Sequence, residues 1–119
     1  MSKELNFQRA KKTFLTVTMP DDEKILIRNP TKKIMDAMTD LSEEFKALEG
    51  VNPEEADTEQ SRESITRIYE ACALIMSNNI ARKPITVAYL EDLLDVEDLI
   101  TFFKTYTDFI AALQASVKN

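Results

Sequence analysis

"LIMSNNIARKPITVAYLEDLL", residues 74 to 94, decides how this chain divides into elements. An apolar segment stops at the polar pair Asn78-Asn79, Pro84 interrupts the connecting stretch, and Thr86 opens a second apolar segment that runs into the acidic pair Glu91-Asp92. As local chemistry these polar residues are punctuation. Either asparagine is suited to the left-handed conformation that closes a helix. Thr86 is suited to capping a short helix over about 87–94.

Working outward, Ile65, Ile68, Tyr69, Cys72, Ile75 and Met76 recur at steps of three and four, which predicts an amphipathic helix over 61–78. Before it, "GVNPEEADTEQS" (50–61) holds the only glycine, a proline and the acids Glu54, Glu55, Asp57 and Glu59, and reads as an exposed loop. Ile34, Met38, Leu41, Phe45 and Leu48 predict a further helix over 30–49, with Asn29 as its N-cap and Pro30 at the first helical position. Toward the C-terminus, Asp95 with Asp98 three residues on is suited to capping a last helix over about 96–116.

The periodicity changes from 3.6 to 2 only near the N-terminus. "KTFLTVTM" (12–19) and "EKILIRN" (23–29) alternate apolar and polar residues around "PDDE" (20–23). This predicts a hairpin over about 12–28, with Phe14, Thr16 and Thr18 on one face and Leu15, Val17 and Met19 on the other, and Pro20 at the second position of the turn. A two-stranded hairpin is marginal alone, so its apolar face needs helices or another copy of the chain against it. The expected fold is α+β, mainly α-helical: a hairpin followed by a bundle of about four helices, in a single domain spanning 1–119.

Composition narrows the function. The 119 residues are 44% hydrophobic and 30% charged, enough for one core. Charges interrupt every apolar run, and no basic region precedes a long apolar run, so neither a membrane span nor a secretion signal is expected. A single cysteine excludes an internal disulfide and fits a reducing cytoplasm. A net charge of −6 argues against nucleic acid, although Lys11-Lys12, Lys32-Lys33 and Arg82-Lys83 form basic pairs. These pairs lack aromatic interleaving and are outnumbered by acids.

Catalytic chemistry finds few groups. The absence of histidine removes the commonest general base at neutral pH, and no Ser, Cys or Lys lies in a nucleophile motif. One glycine excludes a phosphate-cradling loop, and one cysteine without histidine excludes structural zinc. The acidic groups Asp21-Asp22-Glu23, Glu54-Glu55-Asp57 and Glu91-Asp92 with Asp95, Glu97 and Asp98 do not follow the alternating pattern of a calcium loop and read as solvated surface and helix caps. Cys72 falls on the apolar stripe of its helix and reads as a core thiol. Met35, Met38 and Met76 read as core filling, with an adaptable binding surface as the other reading. The expected protein is not an enzyme and has no cofactor or metal.

The last helix carries more information. Val96, Leu99, Ile100, Phe103, Tyr106, Ile110 and Leu113 form one stripe, and Phe102 and Phe109 widen it beyond the roughly 100° that one core requires. That width suits a helix central in a small bundle, or a surface for self-association or a partner helix, and the two readings are compatible. The candidate partner-binding residues are Phe102, Phe103, Tyr106, Phe109 and Ile110.

The succession of "LTVTMPDD" (15–22), "NPTKKIMDAM" (29–38), "LIMSNN" (74–79) and "PITVAYLEDLLDVEDLITFFKTYTDFI" (84–110) resembles the small tail assembly chaperones encoded by long-tailed phages and prophages of low-GC Gram-positive bacteria. The resemblance covers nearly the whole chain and rests on hydrophobic and capping residues: a polar "SxN" break, an "IT" cap, a "YLE" turn and a "DL" pair before an aromatic helix. The 51–60 loop is where this chain is expected to be least typical. The resemblance implies a chaperone in the host cytoplasm that binds the long helical tape measure protein and keeps it soluble until tail tube subunits polymerise around it. It implies absence from the finished virion and self-association, and in many relatives a frameshifted longer form also contacts tail tube protein. The alternative is a small acidic helical adaptor or regulatory protein that uses the same aromatic helix for another protein partner.

Overall fold

The computed structural model describes residues 14–49 and 59–117. Two antiparallel strands, β1 (Phe14–Thr18) and β2 (Lys24–Arg28), are followed by four helices: α1 (Lys32–Glu49), α2 (Glu59–Ser77), α3 (Val87–Leu93) and α4 (Val96–Val117). The architecture is α+β and mainly helical, as the periodicities predict. The acidic stretch from 50 to 58, the basic pair Lys11-Lys12 and the start of the expected first strand lie outside the described residues.

The hairpin register places Leu15 opposite Ile27 and Val17 opposite Ile25, so the alternation of side chains gathers these four on one face. Ile25, Ile27 and Met19 are buried in the core, and Leu15 and Val17 pack against it. The amide of Asp22 donates to the Met19 carbonyl at 2.9 Å, which puts Pro20 at the second position of the turn. Asp22 closes the turn with φ of 68°, a left-handed conformation that aspartate tolerates better than most residues.

Helix α1 begins two residues later than the sequence suggests. Its cap is Thr31, whose Oγ1 accepts from the Ile34 amide at 3.3 Å and whose carbonyl accepts from Met35. The expected cap, Asn29, belongs to the hairpin's exit instead: its carbonyl accepts from the Asn78 side chain at 3.0 Å. Ile34, Ala37 and Leu41 are buried, as are Ile68, Cys72, Ile75 and Met76 of α2. Across the rim of this helix pair, Arg67 reaches Glu44 at 2.6 Å.

The break after α2 does more than terminate a helix. The Arg28 amide donates to the Asn78 carbonyl and the Ile80 amide donates to the Leu26 carbonyl, each at 2.9 Å, so Ile27 and Asn79 form a bridge and β2 lies between β1 and this segment. Neither asparagine takes a positive φ. The left-handed residue is Arg82, at φ of 56°, where the loop doubles back and its amide reaches the Asn79 carbonyl. Pairing with β2 holds residues 78–80 alongside the strand, which displaces the reversal downstream to Arg82.

Asn79 is 3% exposed. Its Nδ2 donates to the carbonyls of Met76 and Lys83, each at 2.8 Å, and its Oδ1 accepts from the Lys83 amide at 2.9 Å. Beside it, Ser77 Oγ donates to the Ala73 carbonyl and accepts from the Ile85 amide at 2.9 Å. Thr86 caps α3 through the Tyr89 amide, and Asp95 and Asp98 exchange side-chain to amide bonds of 3.0 and 2.8 Å at the start of α4. The expected outcome for Asn79→Ala is a stability loss of about 3 kcal/mol, because the Lys83 amide and the Met76 and Lys83 carbonyls lose their partners together. Asn78→Ala, which removes one bond at a wetter position, is expected to cost about 1 kcal/mol, with both values read from urea unfolding.

Candidate functional site

Helix α4 divides its aromatic residues between two tasks. Phe102 is 7% exposed and Tyr106 is fully buried; their rings stack at 5.9 Å, and Tyr106 stacks on Phe109 at 6.0 Å. The Tyr106 hydroxyl donates to the Arg28 carbonyl at 2.9 Å, fastening α4 to the end of β2. Of the five residues the sequence singles out, Phe102 and Tyr106 are therefore core. Phe103, Phe109 and Ile110 are half-buried.

Phe103 and Ile110 border a groove between α1 and α4, whose lining does not include Phe109. Met35 and Met38 of α1 oppose Phe103 and Ile110 of α4 around a cavity of about 340 Å³ open to solvent. Met35 is 46% exposed, while Phe103 is held from beneath by the Phe45 ring at 5.4 Å. The threonines on the groove walls direct their hydroxyls to their own helices, Thr39 to the Met35 carbonyl at 3.2 Å and Thr107 to the Phe103 carbonyl at 2.8 Å. With those hydroxyls satisfied, the surface offered is mostly apolar and contains flexible thioethers. The sequence signal for the α1 wall was present in the spacing of residues 35, 38 and 42, but it runs alongside the stronger core stripe of Ile34, Leu41 and Phe45.

Several titratable residues are committed to contacts within the fold. Cys72 is fully buried and burial pushes its thiol from 9.0 up to about 12, so it stays protonated and unreactive. Burial likewise raises Tyr106 to about 12. Tyr89 also rises to about 12, through desolvation and then through its hydrogen bond to Asp21. Tyr69 is raised by burial and by the neighbouring carboxylates of Asp95, Glu91 and Asp98, and its hydroxyl donates to the Leu94 carbonyl. Within the first acidic group, Asp21 accepts from Tyr89 and Glu23 pairs with Lys83, so these carboxylates pin the turn to α3 and the preceding loop. Lys32 pairs with Asp36. Among the described residues no three side chains are placed to hold a metal ion, and no helix is long and apolar enough to cross a membrane.

No protein-family model, curated protein or solved structure matches this chain.

The division of α4 into core and groove residues has a measurable signature. Phe102→Ala is expected to lose about 3–4 kcal/mol of unfolding free energy, against about 1–2 kcal/mol for the half-buried Phe103→Ala, measured side by side in urea. Stability is also expected to depend on alkali. Cys72 and Tyr106 are held neutral in the fold but ionise at lower pH once unfolded, so their contribution is complete below about pH 9 and is lost as pH rises toward 12. A urea midpoint unchanged between about pH 8 and about pH 11 would contradict this.

Proposed function

We propose that this chain is a non-enzymatic tail assembly chaperone that binds and solubilises a tape measure protein and helps tail tube polymerisation. The observation that supports the binding role is the α1/α4 groove, in which Met35, Met38, Phe103 and Ile110 present apolar surface that the chain's own core leaves open. A tape measure protein is long and helical, and an amphipathic helix laid in such a groove buries its apolar stripe. Thioether side chains repack around different sequences, which suits a chaperone that meets many successive segments of one partner. The net charge of −6 keeps the coated complex soluble by mutual repulsion. The partner's identity comes from the resemblance of the motifs around Asn78-Asn79, Thr86 and the aromatic helix. The same reading puts the protein in the host cytoplasm during assembly, outside the mature virion, with contact to tail tube protein through any longer form.

The test is co-expression with the tape measure protein of the same phage, followed by size-exclusion chromatography with light scattering. The expected result is a soluble complex containing several copies of this chain per tape measure. Met35→Glu combined with Phe103→Glu is expected to abolish co-elution while circular dichroism still reports a helical fold. Insoluble tape measure protein beside a freely eluting chain would replace this reading with that of an acidic helical adaptor for another partner.

A further inference from the structure

The other side of α1 carries a second groove of different chemistry. Residues of α1 that face α2 at positions 37, 41 and 44 are turned about a third of a revolution from those at 35, 38 and 42. Between α1 and α2 lies an open groove of about 500 Å³ lined by the half-buried Ala71 and Leu74, with the buried Ala37 and Leu41 behind them. Two of these are alanines, whose small side chains allow close approach of another backbone. The rim is formed by Asp40, Glu43 and Glu44 of α1 and by Arg67 and Glu70 of α2. Arg67, its single cation, is already bound to Glu44, whose side chain is only 21% exposed. Asp40, Glu43 and Glu70 stand exposed around an apolar floor, with no cationic partner among the described residues.

We infer that this α1/α2 groove docks a cationic amphipathic helix of a partner protein. A row of small or leucine-sized side chains would seat on Ala71 and Leu74, and lysines or arginines along its borders would meet Asp40, Glu43 and Glu70. An apolar floor alone would accept any greasy helix. The three uncompensated carboxylates reject neutral or acidic ones, because covering the groove would strip water from charges that gain nothing in return. The same carboxylates steer a basic helix toward the groove and make its capture sensitive to salt. This surface is separate from the Met35 and Phe103 groove, and the inference does not depend on the identity of the partner proposed there.

The experiment uses the full chain and a fluorescein-labelled helical peptide of about five turns, with leucine and alanine on one face and lysine along both borders. Its counterpart carries glutamate in place of every lysine. The lysine peptide is expected to bind, weakening at least about tenfold when salt rises from about 20 to about 500 mM, and the glutamate peptide is expected not to bind. Nuclear magnetic resonance shifts are expected to centre on Ala37, Ala71 and Leu74. The double variant E43K/E70K should weaken binding at least about tenfold, and E91K/D92K, which makes the same change in net charge on α3, less than about threefold. Equal losses in the two variants would reduce the effect to bulk charge and overturn the inference. So would shifts centred on Met35 and Phe103, or equal binding of the two peptides. Both variants replace exposed residues, and circular dichroism verifies that they fold.

Discussion

The buried side-chain amide of Asn79 is the contact on which the rest of the structure depends. A primary amide taken out of water is costly unless its donors and acceptor are satisfied, and Asn79 meets that requirement only when the end of α2 and the 80–83 loop are together, while its backbone bridges to Ile27 of β2. Its neighbours extend the same logic in other directions. Ser77 reaches forward to Ile85 at the approach to α3, and Asn78 reaches back to Asn29 where the hairpin ends. Three consecutive polar residues thus join three parts of the chain. A slip of one residue in any of them would strand donors in the core, so a polar junction specifies the arrangement more narrowly than the surrounding Ile, Leu and Met residues do.

That junction also determines which face of α4 remains available. Arg28 gives its amide to Asn78 and its carbonyl to Tyr106, so the strand held by the break becomes the post to which the last helix is fastened. With Tyr106 turned inward, Phe103 and Ile110 fall about 50° to the side and come to rest beside Met35 and Met38. The open apolar groove is a geometric result of a hydrogen bond on the opposite flank of the helix. The acidic groove has a different origin: it arises where α1 and α2 meet through alanines and leave their carboxylates on the rim.

Much of this was legible along the chain because the controlling interactions are local. The stripe from Ile68 to Met76, the alternation from Leu15 to Val17 and from Ile25 to Ile27, the Thr86 cap and the Asp95-Asp98 exchange all involve residues within a few positions of one another. The features that read differently were settled at long range. Asn29 has the sequence context of a cap, yet Asn78, far along the chain, binds its carbonyl, and the two asparagines have the chemistry of left-handed terminators, yet β2 pairs with their segment. In α4 the spacing could not separate Tyr106 from Phe103, since both lie on the same broad stripe. Only the position of Arg28 and of the Phe45 ring divides them into an anchored residue and a groove-lining one.

The contacts that hold the hairpin come from far downstream: Asn78 for Asn29, Lys83 for Glu23, Tyr89 for Asp21 and Tyr106 for Arg28, at separations of 49, 60, 68 and 78 residues. During synthesis the hairpin therefore leaves the ribosome before the segments that secure it. At the usual pace of translation, β1 and β2 wait on the order of 5 s or more for their partners. Through that interval Leu15, Val17, Ile25 and Ile27 have no finished core to enter.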